Sequence, residues 1–168
     1  IAHYFLAYKE GQIVGRIAAF INWIEVKELK KNKVRFGWFD AVDDLQVTEK
    51  LMEQVIQIGQ QHQMTAVEGP MGFSNMDKAG MLIEGFEELN TMITWYNAPY
   101  YAQHFEKLGY TKQAEWIEFE IKISSFQDSP EKVKRFSKLI TDRYQLRILN
   151  FHSHKEILPY VDGMFDLL

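Results

Sequence analysis

The hydrophobic positions of this chain change period several times, and each change marks an element. Residues 4–8 alternate, with Tyr4, Leu6 and Tyr8 on one face. Lys9-Glu-Gly-Gln12 supplies a glycine-containing turn, and residues 13–22 run extended again, with Gly15 as a bulge. That is the pattern of a β-hairpin. Residues 26–33 are polar and basic and read as an exposed loop or a short helical excursion. Residues 34–39 (Val-Arg-Phe-Gly-Trp-Phe) are mostly apolar, as in a strand covered on both faces. Apolar residues then recur at Val47, Leu51, Val55 and Ile58, with Met52 and Ile56 beside them, which predicts a helix over about 45–62. Asp43 followed by Gln46 resembles a capping box at its start, with Asp43 and Asp44 as caps. Gly59 inside the stripe allows close packing on a sheet. Residues 65–69 (Thr-Ala-Val-Glu-Gly) read as a second strand. Two strands joined by a helix of this length form a parallel pair with a right-handed crossover. In open α/β sheets the ligand site lies beyond the carboxyl ends of such strands, which here carry Asp40 and Glu68.

Residues 70–96 are long and irregular. Met71, Met76, Met81 and Met92 would give either an adaptable apolar lining to a binding loop or the small core of a surface insertion. Pro99 opens a helix and Gly109 closes it, with Tyr101, Ala102, Phe105 and Leu108 on its apolar face. Residues 115–124 alternate strictly, Ile117, Phe119, Ile121 and Ile123 against Glu118, Glu120 and Lys122, as in an antiparallel strand with one solvated face. A polar linker follows. Ser129-Pro130 starts a helix with the stripe Val133, Phe136, Ile140; residues 145–151 are strand-like. Ser153 with Glu156 opens a last helix carrying Leu158, Val161, Phe165 and Leu168. The expected organisation is one domain over residues 1–124, then over 125–168 a linker, a helix and the start of a second unit or an arm. The chain opens at Ile1 and ends inside an apolar stripe, so a piece of a longer protein is expected.

Composition narrows the chemistry. The 168 residues carry a net charge of −4 with scattered Lys and Arg, which gives no nucleic-acid surface. There is no cysteine, hence no disulfide, thiolate nucleophile or cysteine zinc site. A cytoplasmic location is expected. No apolar run approaches the roughly 18 residues of a spanning helix, and no membrane partner is expected. His152 and His154 lie two apart, without helical metal spacing, and no metal site is expected.

Two local sequences carry a family resemblance. Phe5-Leu-Ala-Tyr-Lys-Glu-Gly-Gln-Ile-Val-Gly-Arg-Ile-Ala19 resembles the hairpin of GNAT-superfamily acyltransferases, an acidic-Gly turn followed by "ivG". Asn97-Ala-Pro-Tyr-Tyr-Ala-Gln-His-Phe-Glu-Lys-Leu-Gly-Tyr110 resembles their last helix, N-x-x-A-x-x-L-Y-E-K-x-G-F. The resemblance covers roughly residues 4–123. The chain also resembles bacterial tandem GNAT-like proteins with a Gly-Arg-Ile hairpin, a Phe-Gly-x-Phe-Asp strand and a Glu-Gly-Pro-Met turn. The resemblance implies an α/β (α+β) fold: a mixed, mostly antiparallel sheet with a central parallel strand pair flanked by helices. It implies transfer of an acyl group from acetyl-coenzyme A or another acyl-coenzyme A to a small-molecule or peptide amine. The thioester would bind along the backbone after the first central strand, at Trp38, Phe39, Asp40, Ala41 and Val42, with Asn97 nearby. The diphosphate would sit at the N-terminus of the next helix.

The chain departs from that family twice. The phosphate loop, usually Gln/Arg-x-x-Gly-x-Gly/Ala, is here Asp40-Ala-Val-Asp-Asp-Leu-Gln46, with no glycine and three carboxylates that repel a phosphate. Phe105 stands where the family has the Tyr that protonates the leaving thiolate. Acyl transfer needs a base for the ammonium, donors for the oxyanion and an acid for the thiolate. Glu68 is the first candidate base and Asp40 the second; alternatively Glu68 pairs with a cation. Tyr101, one turn before Phe105, is a candidate for the missing hydroxyl, or else a core residue. Tyr100 reaches there only if the helix is rotated, and His104 is expected in solvent. The alternatives are a degenerate GNAT fold that binds a ligand or partner without chemistry, and an aminoacyl transferase of the Fem type.

Overall fold

The computed structural model describes residues 1–74, 76–122 and 125–167. It divides into two compact units, Ile1–Glu118 and Phe119–Leu168.

In the first unit β1 (Ala2–Lys9) and β2 (Gln12–Phe20) form the expected antiparallel hairpin. Glu10 and Gly11 turn it, both at positive φ, a conformation glycine adopts without strain. Ala7 faces Gly15 while Tyr8 faces Ile13, so Val14 is the extra residue of a bulge beside Gly15. A short helix α1 (Trp23–Lys27) follows, started by Asn22, whose side chain accepts the Ile24 N–H. Then come β3 (Lys33–Ala41), α2 (Leu45–Gln61) and β4 (Ala66–Glu68). The sheet order is β1-β2-β3-β4, antiparallel except for β3 with β4. The parallel pair therefore lies at one edge of the sheet. It lasts three residue pairs, Lys33–Ala66 to Arg35–Glu68, where β4 ends.

α2 buries Val47, Leu51, Met52, Val55 and Ile58 on the sheet, the stripe its spacing predicts; Ile56 is on the outer flank instead. Each such side chain contributes about 1.5–3 kcal/mol on leaving water. Gly59 lets the helix touch the sheet: a Cβ there would lie 2.8 Å from Val34 Cγ1. The cap is Asp44, not Asp43; its carboxylate accepts the Gln46 N–H at 3.0 Å.

Residues 69–99 contain no helix or strand in their described part. Met71 N–H donates to Phe36 O at 2.8 Å, so this segment closes over β3 just past the end of β4. Asn22 and Arg35 both donate to Phe73 O. Met81 packs against the core, whereas Met76 and Met92 face solvent, so the four methionines form no common lining. α3 (Tyr100–Lys107) starts at Pro99 and ends in a Schellman turn, with Gly109 N–H on Glu106 O and Tyr110 N–H on Phe105 O. Phe105 stacks on Phe36 at 5.1 Å between ring centres.

The strand expected over residues 115–124 does not form in the described part. Residues 115–122 pair with nothing in the sheet, and Trp116, Ile117, Phe119 and Ile121 are exposed. Alternation fixes the faces of a strand, but only a partner edge supplies its hydrogen bonds. Ile123, Ser124 and Leu168 lie outside the described residues.

The second unit holds α4 (Glu131–Tyr144), α5 (His154–Ile157) and α6 (Val161–Phe165), with 3-10 turns at Phe126–Asp128 and Leu158–Tyr160. The strand-like residues 145–151 remain irregular. The expected last helix is broken, because Pro159 has no N–H for the carbonyl one turn back. Its start keeps a variant of the capping box: Ser153 Oγ donates to Glu156 Oε1 at 3.0 Å, and Glu156 Oε2 accepts the His152 N–H at 3.1 Å. No helix is long and apolar enough to cross a membrane among the described residues.

Candidate site at the carboxyl end of the third strand

A bulge in β3 sets the site. Ala18 faces Gly37 and Arg16 faces Asp40, so β3 spends one residue more than β2 over this stretch. Trp38 lies there with φ of 50° and an exposed ring. The extra residue changes the parity of the strand. Phe39 then joins Phe36 on the core side, with both rings against Phe105, and Asp40 points to the other face beside Arg16. Without the bulge, Asp40 would fall on the face of Phe36.

α3 lies against this strand end and ties it down with three side chains. The Tyr101 hydroxyl donates to Asp40 Oδ1 and accepts the Ala41 N–H at 3.1 Å. The Tyr100 hydroxyl donates to Ala41 O at 2.7 Å. His104 is buried, with Nδ1 at 2.9 Å from Thr48 Oγ1 and Nε2 at 3.1 Å from Asp43 Oδ1. Thr48, His104 and Asp43 are in relay order, but Thr48 is fully buried and its hydroxyl cannot meet a substrate. This row joins helix to helix. Asp40, in contrast, leaves 62% of its side chain exposed, and Arg16 Nη2 stands 3.9 Å from its Oδ2.

The electrostatics follow from these contacts. Burial pushes the Tyr101 hydroxyl well above its ordinary pKa, and the bond to Asp40 pushes it further. Tyr100 moves the same way through burial and the charges of Asp43 and Asp40. Both stay protonated donors at neutral pH. Lys9, at 2.8 Å, and the Gln46 N–H hold the Asp44 carboxyl below the usual range.

Asp40 and Tyr101, two of the three sequence candidates for chemistry, meet here. Glu68 does not join them. Its carboxylate takes Lys33 Nζ and, at 3.1 Å, Arg35 Nε. Burial alone would raise its pKa; the two cations outweigh that and hold it below the usual range. Glu68 is thus the ion-paired carboxylate of the two readings above. The backbone candidates are partly committed: Ala41 to the two tyrosines, and the Val42 N–H to Val14 O at 3.0 Å. Asn97 uses its amide on the loop, accepting the Leu82 N–H and donating to the carbonyls of Leu82 and Ala98.

Sequence reasoning missed His104, Thr48 and Arg16 and passed over Tyr100. The signal was present in part: His104 lies at i+4 from Tyr100 and at i+3 from Tyr101, so the three share one continuous patch of helix surface.

The diphosphate of a coenzyme A does not fit at the α2 N-terminus. Asp44 already occupies the Gln46 N–H, Asp43 flanks the opening, and the Ala41 groups are taken. Among the described residues, no group of three or more His, Asp or Glu side chains could hold a metal ion.

No family model matches the chain, and no solved structure matches it. Protein YghO of Escherichia coli (strain K12) is similar, at 28% identity over 161 residues, 96% of this chain and 41% of that protein. The chain thus spans about two fifths of the length of the curated relative it matches.

Proposed function

We propose that the Ile1–Glu118 unit is a GNAT-like N-acyltransferase that moves an acyl group from a thioester to an amine, with Asp40 as the base. The observation that carries this reading is the Asp40–Tyr101 pair at the carboxyl end of β3. Asp40 is fixed and open: Tyr101 orients it, and solvent reaches its other side. Asp43 is also held and exposed, but by His104 and past the end of the strand. An acceptor ammonium would give its proton to Asp40. The freed nitrogen would attack the thioester carbon, the C–S bond would break as the amide forms, and the leaving thiolate would take up the proton that the nitrogen sheds, directly or through solvent. Tyr101, kept protonated by burial, supports the carboxylate through this step. The hairpin and helix motifs and the β3-α2-β4 crossover support the same reading.

Acyl-coenzyme A is the donor that the resemblance implies, and the filled α2 N-terminus stands against its diphosphate. That observation favours a second reading, a GNAT-like module that binds a ligand or partner without chemistry. Thiol release from S-acetyl-N-acetylcysteamine, an acetyl thioester without the diphosphate, across a panel of small and peptide amines separates the two. Amine-dependent release by the wild type, lost in Asp40→Asn, supports catalysis. Release with no amine dependence, or none at all, favours the binding module.

A further inference from the structure

We propose that the acceptor taken at Asp40 is an α-amino acid whose carboxylate is bound by Arg16; this rests on the reading of Asp40 as the base. Arg16 of β2 and Asp40 of β3 are register partners and stand on the face of the sheet away from α2. Arg16 Nη2 lies 3.9 Å from Asp40 Oδ2, beyond hydrogen-bond length. Neither charge is spent on the other. Arg35, on the same face, has its guanidinium filled by Glu25, Glu68 and Phe73 O. The Arg16 guanidinium makes no hydrogen bond among the described residues, so its donors are free. Tyr101 fixes Asp40 through Oδ1, which leaves Oδ2 on the Arg16 side. Both side chains are about half open to solvent.

This spacing selects the ligand. A plain ammonium on Asp40 Oδ2 also meets the guanidinium, and the two cations repel. An α-amino acid carries its carboxylate on the same carbon as its ammonium. With the ammonium on Oδ2, that carboxylate falls beside Arg16 and turns the repulsion into attraction, and the planar guanidinium fork suits it. Once Asp40 has taken the proton, the ammonium loses its ionic partner. Arg16 then keeps the acceptor seated while the neutral nitrogen attacks. Leu6 lies opposite Arg16, and Tyr8 with Ile13 forms the next pair on that face; all three are exposed. They offer the amino acid's side chain an apolar surface, so leucine is a fitting probe.

The test uses the 168-residue chain with leucine and with leucinamide, which lacks the carboxylate. Calorimetry measures binding of each, and thiol release from S-acetyl-N-acetylcysteamine measures turnover. The wild type should bind leucine at least about tenfold more tightly than leucinamide, the low end for a charge-assisted contact that water partly reaches. Arg16→Gln should lower the leucine-to-leucinamide ratio of kcat/KM at least about tenfold, mainly through KM. Comparing ratios cancels the intrinsic reactivity of the two amines and any loss of folded protein. Arg16→Lys, which keeps the charge without the fork, should retain part of the preference. Equal binding of the two amines by the wild type, or a ratio that Arg16→Gln leaves unchanged, overturns the proposal while amine-dependent turnover keeps the acyltransferase reading. Should no amine release thiol, that reading fails by itself and calorimetry decides. A leucine preference lost in Arg16→Gln then supports an amino-acid site on a non-catalytic module, and no preference overturns it.

Discussion

Replacing Arg35 with Met tests what holds β3, β4 and the following loop together. Arg35 is buried at 5% exposure. Its guanidinium donates to Glu25 Oε1 at 2.8 Å, Glu68 Oε2 at 3.1 Å and Phe73 O at 2.6 Å. A methionine fills similar space without a donor. Glu25 then loses this partner, and Glu68 keeps Lys33. Breaking a buried pair by removing one partner costs about 3–5 kcal/mol, whereas an exposed pair is worth about 0–1 kcal/mol. The two carboxylates keep 18% and 21% side-chain exposure, so water compensates in part and the low end, about 3 kcal/mol, applies. At a urea slope of about 1–3 kcal/mol/M, the midpoint should fall by about 1–3 M. The pH dependence has a definite sign. Glu68 has a lowered folded-state pKa, so its contribution is present above its unfolded pKa and is lost as pH falls through the folded one. The gap between wild type and variant should be full at neutral pH and shrink below about pH 4. A loss under about 1 kcal/mol, or a gap that widens in acid, would refute this account of the network.

Gly37→Ala should destabilise the first unit by about 1–3 kcal/mol in urea melts, because its Cβ would stand 2.3 Å from the backbone oxygen of Met71. Glu68→Gln should lower stability while leaving turnover unchanged, since that carboxylate is spent on Lys33 and Arg35; a large fall in turnover would restore it as the base. In calorimetry, acetyl-coenzyme A should not saturate the protein at micromolar concentrations: one carboxylate at about 4 Å repels a unit charge by roughly 4 kcal/mol at an effective dielectric of 20, about three decades of affinity. Asp43→Asn with Asp44→Gly should improve that binding by at least about tenfold; micromolar binding by the wild type would refute the argument.

The hairpin and the β3-α2-β4 unit were legible because their apolar periods are local; Asp40 stood out at its strand end and Tyr101 by its place one turn before Phe105, but their pairing was not legible. Nor was the bulge at Trp38. It depends on cross-strand register, and with it went the face on which Asp40 emerges. The Arg35–Glu68 pairing is a register fact as well, hidden until the two strands are aligned. His104 shows a different limit. Its projection on the helix, different from that of Phe105, suggested solvent, but the seating of α3 on the sheet buried it, and Thr48 and Asp43 made that tolerable. Residues 115–122 and 145–151 have strand patterns without strands, since amphipathic alternation is a property of the segment and pairing is a property of the neighbour.

The measurement closest to the central claim is the rate of amine-dependent thiol release by wild type and Asp40→Asn, with folding checked by urea melts of both. The account predicts turnover in the wild type and a fall of about 10²–10⁴-fold in the variant, the usual contribution of a positioned base. An Asp40→Asn protein that is folded and as active as the wild type would contradict it.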